Sequence, residues 1–390
     1  MKSLYRKYTT IGVLSLAHML NDLYSNYLPQ MLLFLVVARP DFTATRAAAL
    51  ISAFTISSSI AQPFFGFFLD RKGKRWLVYV GTLWMSVMLS MTGVVKSYTA
   101  LISLATLAGL GTAAFHPQAS TMVNILSGNR KALILSGFVA FGNIGFALAP
   151  LLFIPLFQAF GLGVTPFIII PGILVSLLLI FLTPKDRVIA PSTLALSEVF
   201  RSIWRAAREL AAIISVIAIR SLAFVGLLTF LPLYFKSNGY TNVTIGYMVT
   251  IMLFSGVFGG ILGGYLSDNY GRKPLIVSSL MISTPLLFAF FSTEGTLRIV
   301  FMMLSGAALL SSISVTVVAA QEAIPDNKAF AAGLSMGFAG GIGGLAVIIL
   351  GHIADTWGMH TALSVTFMLP FVSGLIGLLM KSRPAARSIG

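Results

Sequence analysis

The 390-residue chain contains no cysteine and very few charged residues, and each shortage excludes a class of protein. Without cysteine there are no disulfides, no thiol nucleophiles and no cysteine-ligated metal sites. Charged side chains make up 9% of the residues, against roughly 25% in a soluble domain. Apolar residues make up 57%, and the mean hydropathy is +0.93. The composition therefore predicts an integral membrane protein built from α-helices.

Twelve apolar runs are long enough to cross a bilayer, since a spanning helix needs about 20 mostly apolar residues. They lie near residues 9–37, 46–69, 76–96, 99–124, 132–160, 165–183, 209–235, 243–267, 274–292, 297–323, 329–355 and 361–380. A charged stretch separates the sixth run from the seventh. The pattern predicts an N-terminal six-helix bundle over 1–183, a cytoplasmic linker over 184–208 and a C-terminal six-helix bundle over 209–390.

The net charge of +15 comes from basic residues that are unevenly divided between the two ends of the predicted helices. Twenty of the 26 Lys and Arg lie in loops on the same side as the termini, and five lie in loops on the other side. Because basic loops stay in the cytoplasm, both termini are predicted to be cytoplasmic. The excess charge indicates topology and contact with membrane lipid, so we expect no nucleic-acid partner.

One short pattern occurs twice. Residues 66–75 (GFFLDRKGKR) and 264–273 (GYLSDNYGRK) each join two apolar runs, and they start 198 positions apart. Asn129-Arg130-Lys131-Ala132 and Asp326-Asn327-Lys328-Ala329 repeat at an offset of 197. Repeats at half the chain length indicate a duplicated bundle, the arrangement by which secondary transporters build a central site.

The doubled G-x-x-x-D-x-x-G pattern resembles the signature loop of the major facilitator superfamily. Within it, three segments resemble the fosmidomycin resistance protein group: His18-Met19-Leu20-Asn21-Asp22, Gln62-Pro63 and Gly109-Leu110-Gly111-Thr112-Ala113-Ala114-Phe115-His116-Pro117. Related sequences often place Glu and then a basic residue after the His-Pro pair, where this chain has Gln118 and Thr121. The coupling scheme and the substrate can therefore differ from those of the group.

The resemblance implies a major facilitator fold with twelve transmembrane helices in two pseudo-symmetric bundles. It also implies a monomeric drug:proton antiporter of the bacterial inner membrane, which exports small drug-like or anionic molecules and confers antibiotic resistance. An uptake symporter for a small organic anion is the alternative. No ATP-binding signature and no nucleophile–base constellation occurs, so we expect an ion gradient as the energy source, no cofactor and no enzyme activity.

Ionisable groups inside a membrane span are costly, so they are the candidates for proton coupling. His18, Asn21 and Asp22 are spaced to share one helical face in the first span, and Asp22 is the expected proton carrier. His116, next to Pro117 in span 4, is a second candidate, and Glu322 at the inner end of span 10 is the fallback. The alternatives are a fixed polar contact between helices for the first group and a packed, satisfied histidine for His116.

Arg220 is the one basic residue predicted at mid-depth, in span 7. It either binds an anionic substrate group or pairs permanently with a carboxylate such as Asp22. The other predicted substrate-binding residues are Asn21, His116, Gln118 and Asn143. Four histidines without clustered spacing predict no metal site.

The signature loops are predicted to form a conformational latch, in which a carboxylate and a basic run stabilise the closed cytoplasmic side. Its residues are Gly66, Asp70, Arg71, Gly73, Gly264, Asp268, Gly271 and Arg272. Gly66 and Gly264 would admit a neighbouring helix, and Gly73 and Gly271 would permit a tight turn. Small residues such as Gly142, Gly145 and Gly343 are predicted to form sliding seams between the two halves.

Overall fold

The structure, a computed structural model, describes residues 2–39, 42–72, 75–126, 131–183, 201, 204–324, 331 and 334–382. Nearly all of these residues are helical. The helices, numbered in chain order, are α1 Lys2–Ser25, α2 Tyr27–Ala38, α3 Ala44–Lys72, α4 Trp76–Ser90, α5 Tyr98–Leu126, α6 Lys131–Phe160, α7 Ile169–Leu182, α8 Ala207–Ser237, α9 Asn242–Tyr270, α10 Arg272–Ser292, α11 Gly295–Ala323, α12 Ala339–Trp357 and α13 Met359–Gly377. A 3-10 segment, Leu162–Ile168, precedes α7, and a π-helical segment, Leu334–Phe338, precedes α12.

Over the described residues, most of every predicted span is helical. Within the described residues, ten helical segments are long and apolar enough to cross a membrane. The other two predicted spans correspond to the pair α1 and α2 and to the shorter α4. The helical character and the placement of the spans are therefore confirmed.

The first span is divided at Asn26, between α1 and α2. Pro29 lies in the first turn of α2 and has no N–H, so the carbonyl of Ser25 lacks its usual helical donor. The Asn26 side chain donates from Nδ2 to the carbonyl of Phe146 on α6, at 2.9 Å, and this carbonyl also lacks its helical donor because residue 150 is proline. The interruption therefore brings polar groups into the span just beyond Asp22.

The chain divides into two compact units, which we call the N-terminal unit and the C-terminal unit. The N-terminal unit comprises Met1–Pro40 and Ala53–Thr193, and the C-terminal unit comprises Asp41–Ser52 and Leu194–Gly390. The first turns of α3 thus belong to the C-terminal unit. The predicted domain boundaries stay a prediction, and most of the predicted linker lies outside the described residues.

Glycines set the closest helix contacts inside each unit. In the N-terminal unit an added Cβ at Gly145 of α6 would lie 2.9 Å from the Cα of Met19 on α1, so the two backbones touch. In the C-terminal unit a Cβ at Gly259 of α9 would lie 2.6 Å from the Cα of Ala307 on α11. Such backbone contact between helices is typical of packing in membranes, where small residues allow close approach.

The predicted sliding seams between the halves are corrected by these contacts. Gly142 and Gly145 pack against α1 inside the N-terminal unit, and Gly343 packs against Ser221 of α8 inside the C-terminal unit. The physical reason is that small residues serve any close helix pair, so their spacing does not identify the partner helix.

Candidate functional site

The first component of the site is a pair of side chains on α1. His18 and Asp22 are one helical turn apart, and His18 Nε2 lies 3.4 Å from Asp22 Oδ2. His18 is buried, and the Asp22 side chain is 18% exposed. Spacing of i and i+4 brings both groups to one face, as the sequence predicts.

The predicted third member, Asn21, makes different contacts. Its Nδ2 donates to the carbonyl of Ala17 at 2.8 Å and to Oγ1 of Thr82 on α4 at 3.0 Å. Its Oδ1 is buried and has no hydrogen-bond partner among the described residues. A buried acceptor without a donor is costly, so this oxygen is suited to bind a water or a substrate donor.

His116 of α5 completes the group. Its Nε2 lies 3.4 Å from Asp22 Oδ1, and its ring meets the ring of His18 edge to face with 5.0 Å between centroids. One carboxylate therefore lies between two imidazoles, each facing a different oxygen. The donor atoms of His18, Asp22 and His116 all lie within 4.8 Å of one another, and we call these three residues the His–Asp–His cluster.

The hydrogen bond of His18 to α6 decides where protons can reside. His18 Nδ1 lies 2.8 Å from the carbonyl oxygen of Phe138, and the imidazole stacks on the Phe138 ring at 4.1 Å. A carbonyl only accepts, so Nδ1 carries a hydrogen. In the neutral imidazole Nε2 then presents a lone pair to the Asp22 carboxylate. Two facing lone pairs repel, so this contact needs a proton on His18 or Asp22, or a donor between them.

The helix α6 covers the cluster at a position without a side chain. An added Cβ at Gly142 would lie 2.5 Å from Cε1 and 2.6 Å from Nε2 of His18, and closer still to Asp22 Oδ2. Glycine therefore lets the α6 backbone lie directly on the ionisable groups. The neighbouring Asn143 is exposed, and Gln118 on α5 is buried with its Oε1 unpartnered among the described residues.

The cluster is also where a metal ion could bind. Among the described residues it is the one group in which three His, Cys, Asp or Glu donors converge. Local spacing does not predict this convergence, because the contact of His116 with Asp22 depends on how α5 packs against α1. The expectation that the chain binds no metal stays a prediction.

Arg220 lies on α8, in the C-terminal unit, and is 7% exposed. Its Nη1 donates to Oγ of Ser312 on α11, at 3.5 Å, a long hydrogen bond. No carboxylate in the described part of that unit lies within ion-pair distance. Burying a guanidinium without a counter-charge is unfavourable, so the site is suited to an anion.

The second signature loop forms a charged group at the end of α9. Arg272 pairs with Asp268 through Nη1 and with Glu322 of α11 through Nε, the latter at 3.2 Å. Its Nη1 also donates to Ser267 Oγ at 2.8 Å. We call Asp268, Arg272 and Glu322 the inner latch. Glu322, the fallback proton carrier, is thus already paired with an arginine.

The glycines of that loop differ in role. Gly271 has a φ of 96°, a conformation that favours glycine, so the predicted tight turn is confirmed there. The expected helix contact at Gly264 is wrong, because an added Cβ would meet nothing within 4 Å. Gly263 makes that contact instead, with its added Cβ 2.8 Å from the Cβ of Ser311. In the first loop, Gly73 and the side chains of Asp70 and Arg71, with the surroundings of Gly66, lie outside what the structure describes.

Comparison with known proteins places this arrangement in context. Residues 8–334 match the family model described as Major Facilitator Superfamily. The chain is 28% identical to the fosmidomycin resistance protein of Escherichia coli (strain K12), covering 95% of this chain and 91% of that protein. It is also 28% identical to the uncharacterized MFS-type transporter YfnC of Bacillus subtilis (strain 168), covering 96% and 93%.

Two solved structures resemble the fold. The nucleoside transporter NupG superposes with a TM-score of 0.80 at 15% identity, covering 96% of this chain and all of that one. An inward-facing bacterial homologue of the human lysosomal transporter Spinster gives 0.77 at 16% identity, covering 96% of both chains. At these identities the likeness shows the fold alone.

Proposed function

Because the chain belongs to the major facilitator superfamily, and is therefore a multi-pass membrane transporter of small molecules and not an enzyme, we propose that it is a proton-coupled antiporter. It exports small drug-like or anionic molecules across the bacterial cytoplasmic membrane by alternating access, as a monomer with both termini in the cytoplasm. The two bundles at 1–183 and 209–390 form the alternating halves.

The observation that carries the proposal is the contact of His18 Nε2 with Asp22 Oδ2 at 3.4 Å, while His18 Nδ1 faces the carbonyl of Phe138. Because the lone pairs of Nε2 and Oδ2 would repel each other, this contact favours a proton between the two groups. His116 contacts the other carboxylate oxygen at 3.4 Å and offers a second acceptor. A proton that arrives at Asp22 can therefore be held by any of three groups, as a coupling site requires.

The charge at Arg220 supports an anionic cargo. A buried guanidinium with Ser312 as its described hydrogen-bond partner retains several unused donors, which match the oxygens of a phosphonate or a carboxylate. The E. coli relative is named for resistance to fosmidomycin, a phosphonate, so fosmidomycin is the first probe to use.

The coupling test uses purified protein in proteoliposomes with an imposed pH gradient. Asp22→Asn is expected to abolish proton-driven accumulation of fosmidomycin while sparing exchange without a gradient, because the amide cannot carry the proton. Glu294→Gln, an exposed carboxylate at the start of α11, is the matched control and is expected to transport like the wild type. Accumulation by Asp22→Asn against a gradient would move the proton site elsewhere.

The anion test uses equilibrium binding. Arg220→Ala is expected to weaken fosmidomycin binding about 10- to 100-fold, because a hydrogen bond to a charged group contributes roughly 1.5–3 kcal/mol. Arg220→Lys should restore part of the affinity, and a neutral diester of the same compound should be insensitive to either change. Equal binding of acid and diester by Arg220→Ala would leave Arg220 as a structural cation.

An uptake symporter for a small organic anion is the second candidate. The same cluster and the same cation serve either direction, since both modes need a titrating group and alternating access. The direction of transport is measured with an imposed pH gradient across the proteoliposome membrane. An antiporter concentrates substrate in the more acidic compartment, and a symporter concentrates it in the more alkaline one.

A further inference from the structure

A carboxylate near the end of α12 binds the first turn of α3. Asp355 Oδ1 accepts the backbone N–H of Ala44 at 2.8 Å, and Oδ2 accepts that of Thr45 at 2.9 Å. Both oxygens are thus used, on two adjacent donors. The helix α3 begins at Ala44, so these are two of the four N–H groups that a helix leaves without an internal partner.

The next N–H group of that turn is satisfied locally, since Arg46 donates to the side-chain Oγ1 of Thr43 at 3.2 Å. Ala47 donates to the Thr43 carbonyl at 3.0 Å, which is the first regular i→i−4 bond of the helix. Thr43 is therefore an ordinary N-cap whose side chain serves one N–H group. The N–H groups of Ala44 and Thr45 depend on a residue more than 300 positions away in the sequence, since Asp355 follows Ala44 by 311 positions. The partial positive charge at a helix N-terminus further favours a carboxylate at this point.

Two further contacts hold the same pair of helices together. An added Cβ at Gly351 of α12 would lie 2.9 Å from the carbonyl oxygen of Ala44 and from the Cβ of Ala48, so the backbones are in direct contact. Deeper along α3, Ser52 donates from Oγ to the carbonyl of Gly344. All of these residues belong to the C-terminal unit, whereas α3 continues from Ala53 into the N-terminal unit.

We propose that Asp355 and the N–H groups of Ala44 and Thr45 form an outer latch, a contact that stabilises the closed state of the face opposite the termini and breaks when that face opens. The inference rests on the proposed function and its predicted topology, which place the start of α3 and the end of α12 on that face. Alternating access requires each face to open in turn, and the bundle that contains most of α3 must then move relative to α12. A carboxylate on exposed backbone N–H groups can separate and re-form, because water replaces both partners.

The outer latch differs in construction from the inner latch. The inner latch joins Arg272 to Asp268 and Glu322, so charged side chains recognise each other. The outer latch joins one carboxylate to backbone groups, and its strength depends on the helix terminus being intact. Removing the negative charge therefore weakens the outer latch without creating an unpaired cation.

The test measures accessibility, and it needs neither substrate nor a proton gradient. Since the chain has no cysteine, a single cysteine at position 48 reports on the contact, because Ala48 is fully buried beside Gly351. Membrane-impermeant maleimide is applied to the outer face of right-side-out vesicles. Asp355→Asn is expected to raise the labelling rate about tenfold, the effect of losing a helix cap.

Two further variants make the result specific. His352→Ala changes an exposed side chain one turn away on α12 and should leave the labelling rate unchanged. Ala44→Pro removes one of the two donors while a proline remains acceptable at the first helical position, so it should raise the rate by itself. Combined with Asp355→Asn it should add less than its separate effect, because both changes remove the same hydrogen bond.

Some outcomes would overturn the outer latch and leave the proposed function standing. An unchanged labelling rate in Asp355→Asn, with or without a lowered melting temperature, would make Asp355 a structural cap. An equal rise in His352→Ala would indicate a general loosening of the helix end. Conversely, if Asp22→Asn still pumps while Asp355→Asn labels faster, the coupling assignment fails and the outer latch is retained.

Discussion

The most direct prediction from the His–Asp–His cluster concerns Gly142, the residue of α6 that lies against it. Gly142→Ala adds one methyl group at a position 2.6 Å from His18 Nε2 and 2.5 Å from His18 Cε1. Carbon and nitrogen atoms in ordinary contact are about 3.5 Å apart, so something must move by about 1 Å. The nearest atoms are the ends of two side chains, His18 and Asp22, and these can rotate away while the backbone stays.

The size of the effect follows from that movement. Overpacking a tight contact costs about 1–3 kcal/mol, and replacing glycine by alanine inside a helix returns about 1 kcal/mol. The net loss of stability, at most about 2 kcal/mol, leaves the protein folded. The expected functional loss is larger, because a misplacement of about 1 Å in the proposed proton-coupling site can cost about 100-fold in rate.

The assay compares Gly142→Ala with Gly137→Ala, an earlier position on the same helix. An added Cβ at Gly137 meets nothing within 4 Å, so the control carries the same chemical change without the contact. Proton-driven accumulation in proteoliposomes is expected to fall by about two orders of magnitude in Gly142→Ala and to be unchanged in Gly137→Ala. Melting temperatures in detergent show that both variants are folded.

The reasoning would be refuted if Gly142→Ala accumulated substrate at the wild-type rate. A loss of transport shared equally by Gly137→Ala would also refute it, since the defect would then belong to α6 in general. If Gly142→Ala failed to fold, the contact would be stiffer than the side chains suggest, and the assignment of flexible partners would be wrong.

Three shorter predictions follow from the same contacts. Gly145→Ala is expected to lower the melting temperature more than Gly142→Ala. Its added Cβ would lie 2.9 Å from the Cα of Met19, and a backbone atom cannot rotate away as a side chain can. Equal melting temperatures of the two variants would contradict this. Gly271→Ala, at a φ of 96°, should cost about 1–2 kcal/mol of unfolding free energy, measured by denaturant titration against Gly264→Ala, whose surroundings are open. Glu322→Gln should retain proton-driven accumulation, because Glu322 pairs with Arg272 and is not expected to carry the proton. Loss of accumulation in this variant would restore Glu322 as the fallback proton carrier.

The membrane spans could be predicted from the sequence because their signal is local. A run of about 20 apolar residues is sufficient evidence for a spanning helix, and no knowledge of partners is needed. The break at Asn26 was less visible. Leu28-Pro29 and Leu231-Pro232 are equivalent in the two halves, yet the first interrupts its helix and the second lies inside the continuous α8. At the break in the first half Asn26 bonds to Phe146 of another helix, a contact that a sequence pattern does not contain.

The candidate site was only partly predictable for the same reason. His18 and Asp22 share a helical turn, so their contact follows from the period of the helix. His116 reaches the same carboxylate through the packing of α5 on α1, and Asn21 instead donates a hydrogen bond to Thr82 of α4. The proposed proton coupling depends on a further element, the carbonyl of Phe138, which accepts a hydrogen bond from His18 Nδ1.

The two proposed latches illustrate why a carboxylate is easier to predict from the sequence than the contact it makes. Asp268 belongs to a repeated motif, and its partner Arg272 is four residues away, so the contact leaves a trace in the sequence. Asp355 binds backbone N–H groups, which every residue except proline carries, so nothing in the sequence marks Ala44 and Thr45 as its partners. What can be recognised is a helix start whose own N-cap, Thr43, satisfies one N–H group of the first turn with its side chain. A start of this kind still needs acceptors from elsewhere, and an acidic residue near the end of another span can supply them.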